Sequence, residues 1–436
     1  MIEFVSLLLG LVTGVVPVEV SVLGQPATVE LWLDGEMIES RSTAPWRFEC
    51  DLGTRLAPHE LVAIARDARG NEIDLARQWV NIQQQSSEAA IVFSGDEPGR
   101  PDSVGLIWQS LGRRHPQSVE MSFDGSPLAF TNPERVTLPE YDASAMHFLS
   151  ATVRFDDNEV FQLEASFGGG RGGQIMTELT AIGITLEDGA KAPPLSALQA
   201  WFLKQGQPVR VHGVEKGSAE VIVVRDPAVQ PVLEELVQTI RSWSMKPLGQ
   251  RNAYGPLGKD TQLRVLSPAG APLSPTHVIP EMFVRSEPRD AASEGLLWLS
   301  QQTRPQSFAM FFGNAVALAG MEAHSRTSRR AVVLLLGDGT ASGWSFSPER
   351  VRDYLRILQV PLFVWSLTPT ERPEWAGSQV IPLALDSPQK HRHLKQAIRE
   401  LRKSLEAQRI VWLEGRHLPQ NIELSAQATG IRLAGS

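Results

Sequence analysis

Apolar and polar positions alternate in short runs through the amino-terminal part of the chain, at 18–23, 29–33, 46–51, 61–66 and 76–82, with Asp34-Gly35 and Arg69-Gly70-Asn71 between runs. A period of two bounded by turn residues predicts strands, and short strands at regular spacing predict a β-sandwich. The period changes at residue 219. Residues 220–224 are predicted as a strand, and after Asp226-Pro227 the apolar positions Val229, Val232, Leu233, Leu236, Val237 and Ile240 recur at helical spacing. Strands are predicted at 262–266 and 278–283, and helices at 291–301 and 311–322. Residues 331–336 are apolar without alternation, as in a strand covered on both faces, and lead into Gly337-Asp338-Gly339. Ser347 is placed to cap a helix with Pro348 at its first position, and Val351, Tyr354, Leu355 and Leu358 give it one buried stripe. Pro361 closes that helix. Strands at 362–367 and 380–385, a helix at 387–408 with Leu394, Ile398, Leu401 and Leu405 inward, and a late strand at 410–413 complete the pattern. Alternating strands and helices predict a doubly wound α/β domain, whose ligand crevice lies outside the carboxyl ends of its strands, next to Asp338.

The sandwich pattern recurs. Asp34-Gly35 is matched by Asp124-Gly125, Pro45 by Pro133, His59-Glu60-Leu61 by His147-Phe148-Leu149 and Asn71-Glu72 by Asn158-Glu159, at offsets of 90, 88, 88 and 87. A near-constant offset of one sandwich length implies a second copy at 89–168 after a first at 18–86. Gly168 to Gly173 contains Gly-x-Gly-x-x-Gly, but a dinucleotide fingerprint must open a helix, and the Thr- and Ile-rich 175–186 reads as strand. The stretch therefore reads as a hinge. With the polar 187–196 and a hairpin about Gln205-Gly206, it makes 169–218 a connector, and 410–436 is left as a carboxyl-terminal strand extension.

A chain of 436 residues exceeds one core and implies roughly two to four domains. Its net charge of -8 and lack of a Lys/Arg block argue against nucleic acid or an acidic membrane as partner. One cysteine excludes an internal disulfide, and Cys50, alternating with Trp46 and Phe48, reads as a core residue. Residues 4–16 are apolar over the length of a signal-peptide core, with Val12-Thr13-Gly14 as cleavage region. Glu3 and the lack of Lys or Arg before Arg41 depart from that pattern. The expectation is a signal peptide at 1–16 and an exported protein; the alternative is a buried first strand in a cytoplasmic one. No stretch reaches the ~20 apolar residues of a membrane span, so no integral membrane segment is expected in the mature chain.

Two stretches resemble known families. Residues 51–72, DLGTRLAPHELVAIARDARGNE, resemble the closing part of bacterial immunoglobulin-like domains. Residues 219–409 resemble a von Willebrand factor type A domain, and the whole layout is similar to the acidobacterial von Willebrand A-related proteins. The resemblance implies a Rossmann-like sheet whose upper loops hold a divalent ion through Asp-x-Ser-x-Ser, a Thr and a further Asp. Asp226 and Asp338 match the two acids, whereas Ala228 and Gln230 stand at the serines and Met310 at the threonine. Mg²⁺ wants hard oxygen ligands, and a thioether is soft. The expectation is a degenerate site with no cofactor, Mg or Ca at a nonstandard site being the alternative. Asp226 then serves as a helix cap.

His391 and His393 lie two apart on a helix and face different ways, and the chain contains no His-Glu-x-x-His, Gly-x-Ser-x-Gly or Walker loop. Ser342 and Ser345 follow Asp338 without an assignable histidine. The expected function is noncatalytic: a protein-binding, adhesion or envelope-assembly protein with a protein partner on the upper face of the 219–409 domain. The rivals are a metal-dependent adhesin with a nonstandard ion and a hydrolase acting through the upper-face loops.

Overall fold

The computed structural model describes residues 2–8, 10–82, 87–94, 100–110, 115–154, 160–168, 175–177, 179–187, 190–226, 229, 234, 257, 261–266, 277–278, 283–285, 312–325, 328–337, 346–366, 373–375, 379–382 and 390–435. The hinge glycines after Gly168, most of the helix expected from Pro227 and the whole helix expected at 291–301 lie outside the described residues.

The first sandwich packs a sheet of Ile2–Phe4, Val15–Val22 and Arg47–Asp51 against one ordered Glu36–Arg41, Thr28–Leu33, His59–Arg66, Glu72–Val80. Alternation turns Val18, Val20, Val29, Leu31, Phe48, Cys50, Leu61 and Ala63 into one core. The run 4–16, expected as a signal-peptide core, lies within the first sandwich in this structure. Ile2, Leu11, Val12 and Val16 are buried, and Ile2–Phe4 pairs antiparallel with Val15–Val22 after a turn at Gly14, whose φ is +75°.

The second sandwich repeats the first. Ser87–Ser94, Ser103–Ser110 and Val136–Thr137 face a sheet ordered Ser126–Pro127, Ser118–Phe123, Met146–Arg154, Val160–Gly168, Ile175–Thr177. Leu33 is opposite Leu61 and Leu61 opposite Gln78, while Phe123 is opposite Leu149 and Leu149 opposite Ala165. The strands that carry Leu61 and Leu149 thus hold equivalent places. Both copies start from a two-residue turn with positive φ at both positions, 52° and 89° at Asp34-Gly35 and 48° and 78° at Asp124-Gly125. That geometry matches strand twist and is open to Gly and, at small cost, Asp.

The connector 169–218 and the extension 410–436, expected as separate pieces, share a third β unit. Its sheets run Val211–Glu215, Gln408–Glu414, Leu179–Leu186, Ile431–Leu433 and Gln207–Pro208, Phe202–Lys204, Ile422–Leu424. Ile182, Ile184, Phe202, Val211, Val411, Leu413 and Ile422 fill the core between them. Pairing between strands so distant in sequence leaves no local signature, which is why the two pieces read as independent.

Everything between Glu215 and Gln408 is inserted into this unit. Its described residues include a six-stranded sheet of β1 (Ala219–Arg225), β2 (Thr261–Leu266), β3 (Phe283–Arg285), β4 (Arg329–Leu336), β5 (Leu362–Ser366) and β6 (Gln379–Pro382). They are ordered β3-β2-β1-β4-β5-β6 and parallel except at β3. Helices α1 (Phe312–Ser325), α2 (Pro348–Ile357) and α3 (Lys390–Ala407) cover it. Val221, Val223, Val333 and Leu335 meet α3 on one face, while Ile222, Val224, Val332 and Leu334 meet α1 and α2 on the other. Burial on both faces explains the unalternated sequence. Ser347 caps α2, its Oγ accepting from Arg350 N at 3.3 Å with Pro348 next. Val351, Tyr354, Leu355 and Leu358 are buried as their spacing requires.

The first sandwich is docked on this inserted unit. Leu11–Val12 pairs antiparallel with His277–Val278, and Leu11 and Leu56 join the core beneath α1 and α2. The Tyr354 hydroxyl donates to the Asn81 carbonyl. Asn81, buried at φ +57°, accepts from Val12 N through Oδ1 at 2.6 Å and donates through Nδ2 to the carbonyls of Val12 at 2.7 Å and Ala57 at 2.9 Å. Gln420 Nε2 donates to Pro58 O, so the third β unit also touches the first sandwich.

Candidate functional site

The carboxyl ends of β1 and β4 lie side by side, at the edge where an open parallel sheet places its ligand crevice. Asp226 follows β1. Its amide donates to Leu335 O at 2.9 Å, and its Oδ2 accepts from Gly337 N at 3.1 Å. Its carbonyl accepts from Val229 N at 3.1 Å. With 6% exposure, Asp226 ties the ends of the two central strands together. The helix expected to be capped by Asp226 lies mostly outside the described residues; the tie forms because Gly337 N emerges from β4 within reach of a strongly accepting carboxylate. Asp338, Ala228, Gln230, Met310, Ser342 and Ser345 lie outside the described residues. Of the five positions matched to the ion motif, Asp226 is the one whose surroundings are defined.

Beside it, Arg225 is 4% exposed, and its pKa is pushed down to about 10 by burial against the opposing field of Glu234. Among the described residues no group of three or more His, Cys, Asp or Glu is arranged to hold a metal ion. Cys50 is buried in the first sandwich, and burial, with Asp34 and Asp51 adding, pushes its thiol up to about 11. A neutral thiol in such a setting packs as an apolar group.

The opposite end of the sheet carries a buried ionic cluster that sequence reasoning missed. Glu220 and Arg264 pair at 2.7 Å, and Arg264 reaches Glu322 of α1 at 2.8 Å. Arg330, 1% exposed, donates through Nη1 to His324 O, and Gln408 brackets its backbone N and O at 2.8 and 3.0 Å like a missing strand. Burial holds Arg330 at about 10, and burial with the Arg330 charge holds His324 at about 3, so His324 is neutral and donates through Nδ1 to Leu358 O. These groups brace the amino end of the sheet against α1, α2 and the third β unit. In the sequence they appear as isolated charges at strand edges, and the fold alone collects them.

Each amino-terminal sandwich carries one further polar site. His59 Nδ1 lies 2.7 Å from Asp34 Oδ2, and His147 Nδ1 lies 2.7 Å from Asp124 Oδ2. In both, the histidine that opens a strand grips the aspartate of the preceding hairpin turn. His147 Nε2 also lies 2.8 Å from Asp142 O, and its ring stacks on Phe123 at 5.2 Å. His59 Nε2 is buried without a hydrogen-bond partner. Burial alone would discharge His147, but the Asp124 carboxylate and the Asp142 carbonyl outweigh it and raise its pKa. These pairs fasten turns and involve no nucleophile.

No family model matches the chain, and no curated protein matches it. Among solved structures it is similar to the fibronectin(III)-like modules of Clostridium thermocellum CbhA, with 20% identity over 18% of this chain and 93% of that one and a TM-score of 0.17. The central fibronectin-III array of RIM-binding protein matches with 12% identity over 47% of this chain and 81% of that one, with a TM-score of 0.21. A glycosyl hydrolase family 2 member from Bacteroides cellulosilyticus matches with 14% identity over 36% of this chain and 25% of that one, with a TM-score of 0.18. Likeness at those scores carries no functional argument. The description of the modules as β-sandwiches rests on their own sheets and cores.

Proposed function

We propose that this chain is a noncatalytic binding protein in which a von Willebrand A-type domain, inserted in a β unit and braced by an immunoglobulin-like sandwich, presents its upper crevice to a protein partner. The observation that carries this reading is the engagement of Asp226. Its Oδ2 accepts from Gly337 N, so one of the two acids matched to the ion motif serves the sheet. An ion drawn to Asp226 would compete with that tie, and with Ala228, Gln230 and Met310 at the remaining positions it would keep waters that the protein does not orient. The sheet supports the reading through its order and its two covered faces.

The experiment is a thermal shift titration with Mg²⁺, Mn²⁺ and Ca²⁺. A ligand that binds only the folded state stabilises it by RT ln(1 + [L]/Kd). No ion-dependent rise is expected. An EDTA-reversible rise abolished by Asp338→Ala would instead establish the metal-dependent adhesin. Cross-linking in the native cells identifies the partner, and its loss on substitution of Asp338, Ser342 or Ser345 would place it on the upper loops.

A further inference from the structure

Helix α3 buries Leu394, Ala397, Ile398, Leu401 and Leu405 against the sheet. At about 100° per residue the opposite side gathers Arg392, Lys395, Arg399 and Lys403, all exposed, with Arg402 half-buried next to them. Gln396 and Glu406 share the arc and Glu400 borders it; Glu406 sits 3.9 Å from Arg402, and Glu400 accepts from Gln396 at 2.9 Å. Arg392 and Lys395, Lys395 and Arg399, and Arg399 and Lys403 are all neighbours three or four residues apart. Like charges at that spacing destabilise a helix by a few tenths of a kcal/mol per pair. A basic stripe kept at that cost in a chain of net charge -8 asks for an anionic surface.

The same chain displays one. On the outward face of the first sandwich's three-stranded sheet stand Glu3, Glu19, Glu49 and Asp51, with Arg47 the opposing charge, paired to Glu19 at 3.3 Å. Register places Pro17 beside Glu49 and Val15 beside Asp51, and Val15 is 63% exposed. Apolar ground between carboxylates suits the alkyl stems of Arg and Lys. The stripe from Arg392 to Lys403 is about 16 Å long at the helical rise. The sheet face, three strands wide, is about 10 Å across and about 20 Å long. Their lengths and charges match.

We infer that the basic face of α3 docks on the acidic sheet face of a second copy of this chain. Two different surfaces meet, so the contact is heterologous and repeats head to tail. A footprint of this size lies below that of a stable interface, so the association is weak and carried by charge, and salt weakens it. The docking side of α3 is the one turned away from the sheet.

The test is sedimentation velocity on the full chain across a concentration series, at low ionic strength and at about 0.5 M salt, where the Debye length falls to a few ångströms. The average mass is expected to rise with concentration at low salt and to return to the monomer at high salt. The helix-reversed variant, Arg392→Glu with Arg399→Glu, and the sheet-reversed variant, Glu3→Lys with Glu49→Lys, should each be monomeric alone. Mixed one to one at low salt they should associate again. All four positions are exposed, so melting temperatures should match the unaltered chain, and neutral Arg392→Gln with Arg399→Gln provides a milder second variant. A chain that stays monomeric at low salt overturns the inference. So does an association that the helix variants leave intact, and so does a monomer whose α3 residues bind duplex DNA or anionic vesicles.

Discussion

The first and second sandwiches share a turn, a strand register and a histidine–aspartate pair, and they differ in what surrounds that framework. In the first copy, loops at one end are committed to other parts of the chain: Leu11 and Leu56 enter the core under α1 and α2, and Asn81 receives Tyr354. In the second, the hydrogen bonds and buried cluster described are its own. Its polar network is correspondingly more complete, since both ring nitrogens of His147 find acceptors while Nε2 of His59 has none. Repetition therefore preserved what each sandwich needs to fold, while loops of the first copy specialised for docking.

The largest test of that contrast is a pair of core truncations. Leu11→Ala and Leu106→Ala each remove a side chain with no exposure and should each cost about 3 kcal/mol. The first is expected to speed amide exchange in α1 and α2 as well as in its own sandwich, and the second only within 87–177. Hydrogen exchange read by mass spectrometry decides it, and protection of α2 unchanged in Leu11→Ala would break the contrast. Next comes Asn81→Ala, which strips partners from the Val12 amide and carbonyl and the Ala57 carbonyl. A loss of about 3 kcal/mol in urea unfolding is expected, with Tyr354→Phe costing about 1 kcal/mol because the Asn81 carbonyl loses one donor. A loss as small for Asn81→Ala as for Tyr354→Phe would mean that the docking loops hold their shape without it.

The smallest effect sharpens the other side. His147 has a folded pKa above its ordinary value of about 6.5, so its charge stabilises the second sandwich in full below that value. The contribution is lost as pH rises through the raised folded value, because a neutral ring must then turn one nitrogen lone pair toward an acceptor. Melting of the second sandwich should fall across that window, and His147→Gln should flatten the profile. A slope that survives the substitution assigns it to other groups.

Much of this was legible in the sequence because it is local. The turn pairs, the Ser347 cap and the stripe of α2 depend on residues within a few positions of one another, and the repeat is seen by comparing such local patterns about 88 residues apart; the structure places them as their spacing requires, Asn158-Glu159 lying outside the described residues. What escaped was long-range. No local pattern could say that Leu179–Leu186 pairs with Gln408–Glu414, or that Leu11 belongs to a core assembled mostly from residues beyond 222. Asn81 gave no signal because its importance lies in three bonds to loops distant along the chain. The crevice was legible only at Asp226, whose carboxylate proved to serve the neighbouring strand. The basic face of α3 was hidden because its residues are dispersed among the apolar ones that fix the helix, and only the wheel brings them together.

The insertion point has a mechanical consequence. The inserted unit departs after Val211–Glu215 and returns through Gln408–Glu414, antiparallel neighbours with Val214 opposite Val411 and Glu215 opposite Ile410. On the far side of the returning strand, Leu179–Leu186 also holds Ile431–Leu433, with Ile184 opposite Leu433. Tension applied between residue 179 and the Ile431–Leu433 strand runs through those backbone bonds and short-circuits the whole parallel sheet. Stretched in that direction, the chain would lose its carboxyl-terminal strand first, while the crevice at Asp226 kept its shape until the host sheet tore.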